Sequence, residues 1–197
     1  LSFLGSYVML FINPVWSAIV AWTFSMTTRQ AGHFFFEPHS YDHVNRASHS
    51  LETLFPENTP EELWLEIGFG GGEHLCAQAK ANPHMGILGA EPFLDGLARA
   101  VMKIANDGID NVRLYRGDAR ELIDRMPDGA ISRAFILFPD PWPKRRHHKR
   151  RLVQPEFLRD LTRILRPGGQ LRLATDVESY ADQALSVFLR NRNLDWT

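Results

Sequence analysis

From Glu61 onward the chain alternates between two kinds of segment, and this pattern limits its folds more than any other feature. Short apolar runs rich in strand formers occur at Leu63 to Ile67, Gly86 to Ala90, Val112 to Tyr115, Ala134 to Phe138 and Leu171 to Ala174. Each is followed by a turn and then a helical pattern. Phe93 to Asn106 places Phe93, Leu97, Ala100, Val101 and Ile104 on one helical face, with Gly108 positioned to end the helix. Pro155 suits the first turn of a helix running to about Leu165, and Arg166, Pro167, Gly168 and Gly169 read as the turn into the last strand. Nearly continuous apolar strands separated by helices predict an α/β fold with a doubly wound, mostly parallel sheet covered on both faces.

Composition narrows the setting. The 197 residues are 44% hydrophobic, which argues against disorder, and Cys76 is the single cysteine, so an intrachain disulfide framework is excluded. A reducing, cytoplasmic location is expected. The formal net charge of −1 hides an uneven distribution. Residues 140–197 carry 12 Lys and Arg against 7 Asp and Glu, whereas residues 1–139 carry 10 against 16. Six of those 12 fall in the stretch Lys144, Arg145, Arg146, His147, His148, Lys149, Arg150, Arg151. Such a block is expected to face water or a polyanion.

Residues 1–28 have no charged side chain, but Asn13 and Pro14 interrupt them and no basic segment precedes them. They are read first as a leader outside the working domain, with a membrane anchor or signal sequence over residues 3–24 and a buried or interfacial helix as the less favoured alternatives. Residues 29–60 form a polar connecting segment with one short helix expected near Arg46 to Leu54, and residues 61–197 the working domain. His39, His43 and His49 lack a matching ligand set at metal-site spacing, so no metal is expected.

Four strand ends carry the chemistry. The first runs into Glu66, Ile67, Gly68, Phe69, Gly70, Gly71 and Gly72, where glycines permit a tight turn and close approach of a nucleotide-like ligand. The spacing departs from the dinucleotide fingerprint, whose third glycine falls one place later. The second strand ends at Glu91, 23 residues past Gly68, where an acid commonly accepts ribose hydroxyls. The third ends at Asp118. Carboxylates around an adenosine suit a ligand with a positive centre and repel pyrophosphate, which favours S-adenosylmethionine over NAD or ATP. Glu66, Gly68 and Gly70 are assigned to its sulfonium and amino-acid end, Glu91 to the ribose, and Asp118 to the adenine amino group. At the fourth end, Pro139, Pro141 and Pro143 fix the backbone around Asp140 and Trp142.

These segments, Glu66-x-Gly68-x-Gly70, Glu91-Pro92, Asp118-Ala119, Pro139-Asp140-Pro141-Trp142-Pro143-Lys144 with the attached basic run, and Ala174-Thr175-Asp176, resemble the bacterial tRNA (guanine-N(7)-)-methyltransferase family over about residues 61–196. The resemblance implies a class I methyltransferase fold, S-adenosylmethionine as methyl donor and a guanosine of tRNA as acceptor, with no DNA partner. It further implies that Glu66, Glu91, Asp118 and Asp140 lie at the cofactor, that Asp140 is the catalytic position, and that Lys144 and Asp176 contact the substrate. Guanine N7 has an in-plane lone pair and no proton, so the chemistry rests on positioning and electrostatics. The basic run would meet tRNA phosphates, with Trp142 or another aromatic stacking on a base.

Two departures stand out. The region around Thr28 to His39 is poor in Arg where the family is basic, and the family continues past Trp196 with two more strands and a Thr-x-x-Glu motif. The sheet is therefore expected to lack its C-terminal strands. Two alternatives stay open: a nucleic-acid amino-methyltransferase, which lacks an attached basic run, and a truncated, non-catalytic cofactor- and RNA-binding domain.

Overall fold

Five parallel strands lie in the order β3-β2-β1-β4-β5 in a computed structural model that describes residues 54, 55 and 57–195. The uncharged leader, most of the connecting segment with His39, His43 and His49, and Trp196 lie outside the described residues. The strands are β1 (Glu62–Ile67), β2 (Met85–Glu91), β3 (Val112–Arg116), β4 (Ile131–Leu137) and β5 (Leu165–Ala174). Five α-helices follow them in turn: α1 (Glu73–Ala81), α2 (Leu94–Asp107), α3 (Ala119–Arg125), α4 (Pro155–Ile164) and α5 (Glu178–Leu189). The expected fold class is the one observed. Among the described residues no helix is long and apolar enough to cross a membrane.

β1 is central and pairs with both β2 and β4. The chain reverses its direction of travel across the sheet there, which opens a crevice at the strands' carboxyl ends. Alternate side chains of β1 serve opposite faces. Leu63, Leu65 and Ile67 pack with Phe157, Leu161 and Tyr180 on one side, whereas Trp64 packs with Leu75, Leu97 and Phe135 on the other. Burial on both faces is why the strands read as nearly unbroken apolar runs. Leu54 and Phe55 are also buried in the first cluster, with the Arg113 side chain donating to the Leu54 carbonyl oxygen at 2.8 Å.

Three elements differ from the sequence expectation, and the first is β4, which runs Ile131–Leu137 instead of Ala134 to Phe138 because Phe138 already turns out of the sheet with a φ of 49°. Helix α2 starts at Leu94, so Phe93 is its extended N-cap residue with a ring 67% exposed, instead of a core position beside Leu97. The amphipathic period runs through Phe93, but the chain is still turning out of β2 there. Residues Arg166 to Gly169 belong to β5 itself, where pairing shifts from Ile131↔Leu165 to Arg133↔Gln170. This bulge takes up extra residues, and Gly168 meets its geometry with a φ of 76°. Gly108 ends α2 at φ 63°, as the sequence suggests.

Helix α2 sits hard against the loop after β1. A methyl group on Gly96 would lie 2.6 Å from the Gly70 carbonyl oxygen, and one on Gly72 would lie 2.8 Å from the Ala100 methyl. Gly96→Ala is expected to destabilise the fold by about 1–3 kcal/mol through overpacking. Thermal denaturation checks this, since an unchanged Tm would show that α2 does not need this close approach.

Candidate active site

Each strand of the sheet hands its loop to the same edge, and the backbone ladder continues into those loops. The Gly68 amide donates to the Ala90 carbonyl oxygen at 2.8 Å, and that of Phe138 donates to Ala174 at 2.8 Å. In the loop after β1, Gly68, Gly70 and Gly72 have φ of 71°, 54° and 77°, a left-handed conformation costly for any residue with a Cβ. A methyl group on Gly68 or Gly70 would meet nothing within 4 Å, so this surface stands open to a ligand.

Glu91 fastens that loop in place. Its carboxylate is 4% exposed, and its two oxygens accept from the backbone N–H groups of Gly70 and Phe93, each at 2.9 Å. One side chain at the end of β2 thus ties the β1 loop to the start of α2. Each oxygen keeps a lone pair for a further donor such as a ribose hydroxyl. Around Glu91 lies a cleft of about 350 Å³, whose lining includes Gly68, Phe93, Asp118, Phe138, Asp140 and Trp142. Its size falls in the range of small-molecule sites, about 300–1,000 Å³. The open glycine backbone, the carboxylate at the base and the apolar walls of Ile67, Ala90 and Leu152 fit an adenosine carrying a positive centre.

The structure brings Gly68, Glu91, Asp118 and Asp140 together in this cleft and places the other expected residues around it. Gly70 joins through its hydrogen bond to Glu91. Glu66, near the end of β1, does not line the cleft: it is 3% exposed, with its Oε2 2.7 Å from Nδ1 of His74 in the first turn of α1. Asp118 caps α3 by accepting from the Arg120 amide at 2.9 Å, and its other oxygen pairs with the Arg120 guanidinium at 2.8 Å. Lys144 and Asp176 are both exposed, on the segments that leave β4 and β5. Thr175 braces the second of these segments by accepting from the Val177 amide at 3.2 Å.

The segment around Asp140 is strained. Phe138 and Trp142 have φ of 49° and 42°, rare for bulky side chains and costing about 1–3 kcal/mol each. Asp140 sits midway between them, while the Phe138 ring is 59% exposed. The Trp142 ring is held by the His147 imidazole edge-on at 5.9 Å and by the Arg150 guanidinium at 5.0 Å. Trp142, Lys149 and Arg150 also line a second open cavity of about 700 Å³ beside the first.

The basic run forms a short 3-10 helix at Arg145–Arg150, with Lys144, Arg145, Arg146, Lys149 and Arg150 all exposed. Arg151 overturns the expectation that the whole block faces outward, because its side chain is fully buried. It donates to the Pro141 and Ser179 carbonyl oxygens, the Ser179 hydroxyl and the Gln183 amide oxygen. Neutral acceptors thus take up its donors, and burial pushes the guanidinium pKa below its usual value. His74 and Arg151 are the structural partners that sequence reasoning missed. His74 follows Gly72 by two residues, but no spacing rule marks it as the partner of Glu66.

The five-stranded parallel sheet in this order, with a glycine loop after β1 and an acid ending β2, matches the class I S-adenosylmethionine-dependent methyltransferase fold. The precorrin-6y C5,15-methyltransferase from Geobacter metallireducens GS-15 superposes with a TM-score of 0.55 at 18% identity, covering 66% of this chain and 61% of that one. The aminoglycoside resistance methyltransferase NpmB1 gives 0.51 at 22% identity, covering 75% and 71%. These likenesses concern the fold.

Residues 60–197 match the family described as "Putative methyltransferase". A tRNA (guanine-N(7)-)-methyltransferase of Hyphomonas neptunium is 57% identical over 146 residues, 74% of this chain and 66% of that protein. One of Ruegeria pomeroyi is 49% identical over 162 residues, 79% of this chain and 67% of that protein. The chain belongs to the tRNA (guanine-N(7)-)-methyltransferase family. It spans between about half and two thirds of the length of the curated relatives it matches.

Glu91→Gln tests the central tie, because it puts an amide N–H against one of two backbone donors. Loss of that acceptor is expected to cost about 1–3 kcal/mol and to weaken S-adenosylmethionine binding about tenfold or more. Calorimetric titration and amide exchange at Gly70 and Phe93 measure both effects, and wild-type values in each would remove Glu91 from this role.

Proposed function

We propose that this protein transfers a methyl group from S-adenosylmethionine to N7 of a guanosine in tRNA. The observation that carries the reading is the strained Phe138–Trp142 segment, which presents Asp140 in the nucleoside-sized cleft and runs straight into an exposed basic turn. The names of the relatives supply the acceptor and the atom methylated. A tRNA substrate also assigns the protein to the cytoplasm, and no DNA partner is proposed.

When bound, S-adenosylmethionine supplies an electrophilic methyl group on a sulfonium. Glu91 and the backbone of Gly68 and Gly70 would hold the ribose and the amino-acid end, Glu66 would act through its charge from the end of β1, and Asp118 would face the adenine amino group. Asp140 stabilises the positive charge that the purine gains as its N7 lone pair is used, a preorganised electrostatic role that needs no proton transfer beforehand. Asp176 accepts from the guanine N1–H and amino group. Lys144, Arg145, Arg146, Lys149 and Arg150 meet the phosphates, and Trp142 offers a ring for stacking.

Incubation with unmodified tRNA and a labelled methyl donor, followed by nucleoside identification, is expected to yield 7-methylguanosine. Label on an exocyclic amino group would assign the acceptor differently, and cofactor binding without transfer would leave a non-catalytic RNA-binding domain. Asp140→Asn should keep cofactor affinity within about twofold and lower turnover about 10²- to 10³-fold, and unchanged turnover would remove Asp140 from the chemistry.

Neutralising Arg145, Arg146 and Lys149 to Gln should flatten the dependence of tRNA affinity on salt. The slope should fall by about 0.7–0.9 for each phosphate that is no longer neutralised. A wild-type slope would show that the turn faces solvent.

A further inference from the structure

Arg151 looks in sequence like one more cation of the basic run, yet it is the member that the fold withdraws from solvent completely. Its Nε donates to the Pro141 carbonyl oxygen at 2.8 Å. Nη1 donates to the Ser179 carbonyl oxygen at 2.7 Å and to Gln183 Oε1 at 2.9 Å, and Nη2 to Ser179 Oγ at 3.0 Å. The guanidinium lies 5.0 Å from the centre of the Tyr180 ring. Pro141 directly follows Asp140, and Ser179 is three residues after Asp176 in the first turn of α5. One planar cation therefore spans the two segments that carry the two acceptor-facing carboxylates.

We infer that Arg151 is a positioning residue that clamps the Asp140 loop to the Asp176 segment, and so sets how the acceptor base is held between them. This rests on the proposed methyl transfer to guanosine. The loop needs an external clamp because Pro139, Pro141 and Pro143 have no N–H and cannot pair as donors. Its flanking Phe138 and Trp142 sit in a backbone region that persists only when surroundings impose it. The clamp is itself anchored: Gln183 donates to the Val153 carbonyl oxygen at 3.2 Å, and the Tyr180 hydroxyl accepts from the Val153 amide at 3.2 Å. The partners lie in three directions, which the rigid fork of Arg serves and a single ammonium does not.

The test compares wild type with Arg151→Lys and with Ser179→Ala, a milder change that removes only the hydroxyl partner. Arg151→Lys is expected to lower kcat about 100-fold, with KM for tRNA within about threefold and the salt slope of tRNA binding unchanged. Ser179→Ala should fall between it and wild type in kcat at wild-type Tm. Amide exchange in residues 138–150 and 176–183 should speed up in Arg151→Lys while the rest of the domain keeps its protection. A salt slope lowered by about 0.7–0.9 with kcat retained would make Arg151 a phosphate ligand, and a lower Tm with unaltered kcat and local exchange would make it merely structural. Wild type that forms no 7-methylguanosine would overturn the proposed function instead, and the exchange comparison would still decide the clamp.

Discussion

Two hydrogen bonds to one buried carboxylate hold the cleft in shape. Glu91 accepts from Gly70 in the loop after β1 and from Phe93 at the start of α2. Without that acceptor, two backbone amides would lose their partner and the glycine loop would lose its tie to α2. The close approach of Gly96 to the Gly70 carbonyl oxygen depends on the same placement. The open backbone surface of Gly70 and the N-cap position of Phe93 are both held by these two bonds.

On the other side of the sheet the problem is opposite in kind. Glu91 draws in N–H groups, whereas the segment after β4 has few to offer. Three prolines make that segment stiff and poor in donors, and two bulky residues within it take up left-handed backbone conformations. Rigidity of this kind is useful where a charged group must be fixed in place before a ligand arrives, because no reorganisation is then needed. It also shifts the cost of holding the loop onto neighbouring elements, and Arg151 supplies donors where the loop needs them.

Much of the fold was legible because a parallel sheet buried on both faces writes its strands as apolar runs and ends them in glycines or acids at one edge. β1, β2 and β3 fell within a residue or two of expectation, and Gly108 ended α2 where its conformational freedom suggested. The errors came where periodicity and packing separate. Phe93 continues the apolar stripe of α2, yet it lies before the first helical turn and faces the cleft. Arg166 to Gly169 have turn composition, but β4 holds them as a bulge within β5. The site was legible as a set of strand-end residues, since topology alone delivers Glu91, Asp118 and Asp140 to one edge.

The order of residues along the chain was enough to determine the doubly wound sheet, the acidic strand ends and the basic turn attached to Asp140, because each is a local pattern of polarity, glycine or proline. Only the tertiary structure decided which members of those patterns share surroundings. It buried Glu66 against His74, made Asp118 a helix cap, and turned Arg151 from an apparent surface cation into a buried brace. The reason is physical: burial and hydrogen-bond partners depend on distances across the sheet and between helices, as in the 28 residues that separate Arg151 from Ser179. No local spacing in the chain encodes such a distance.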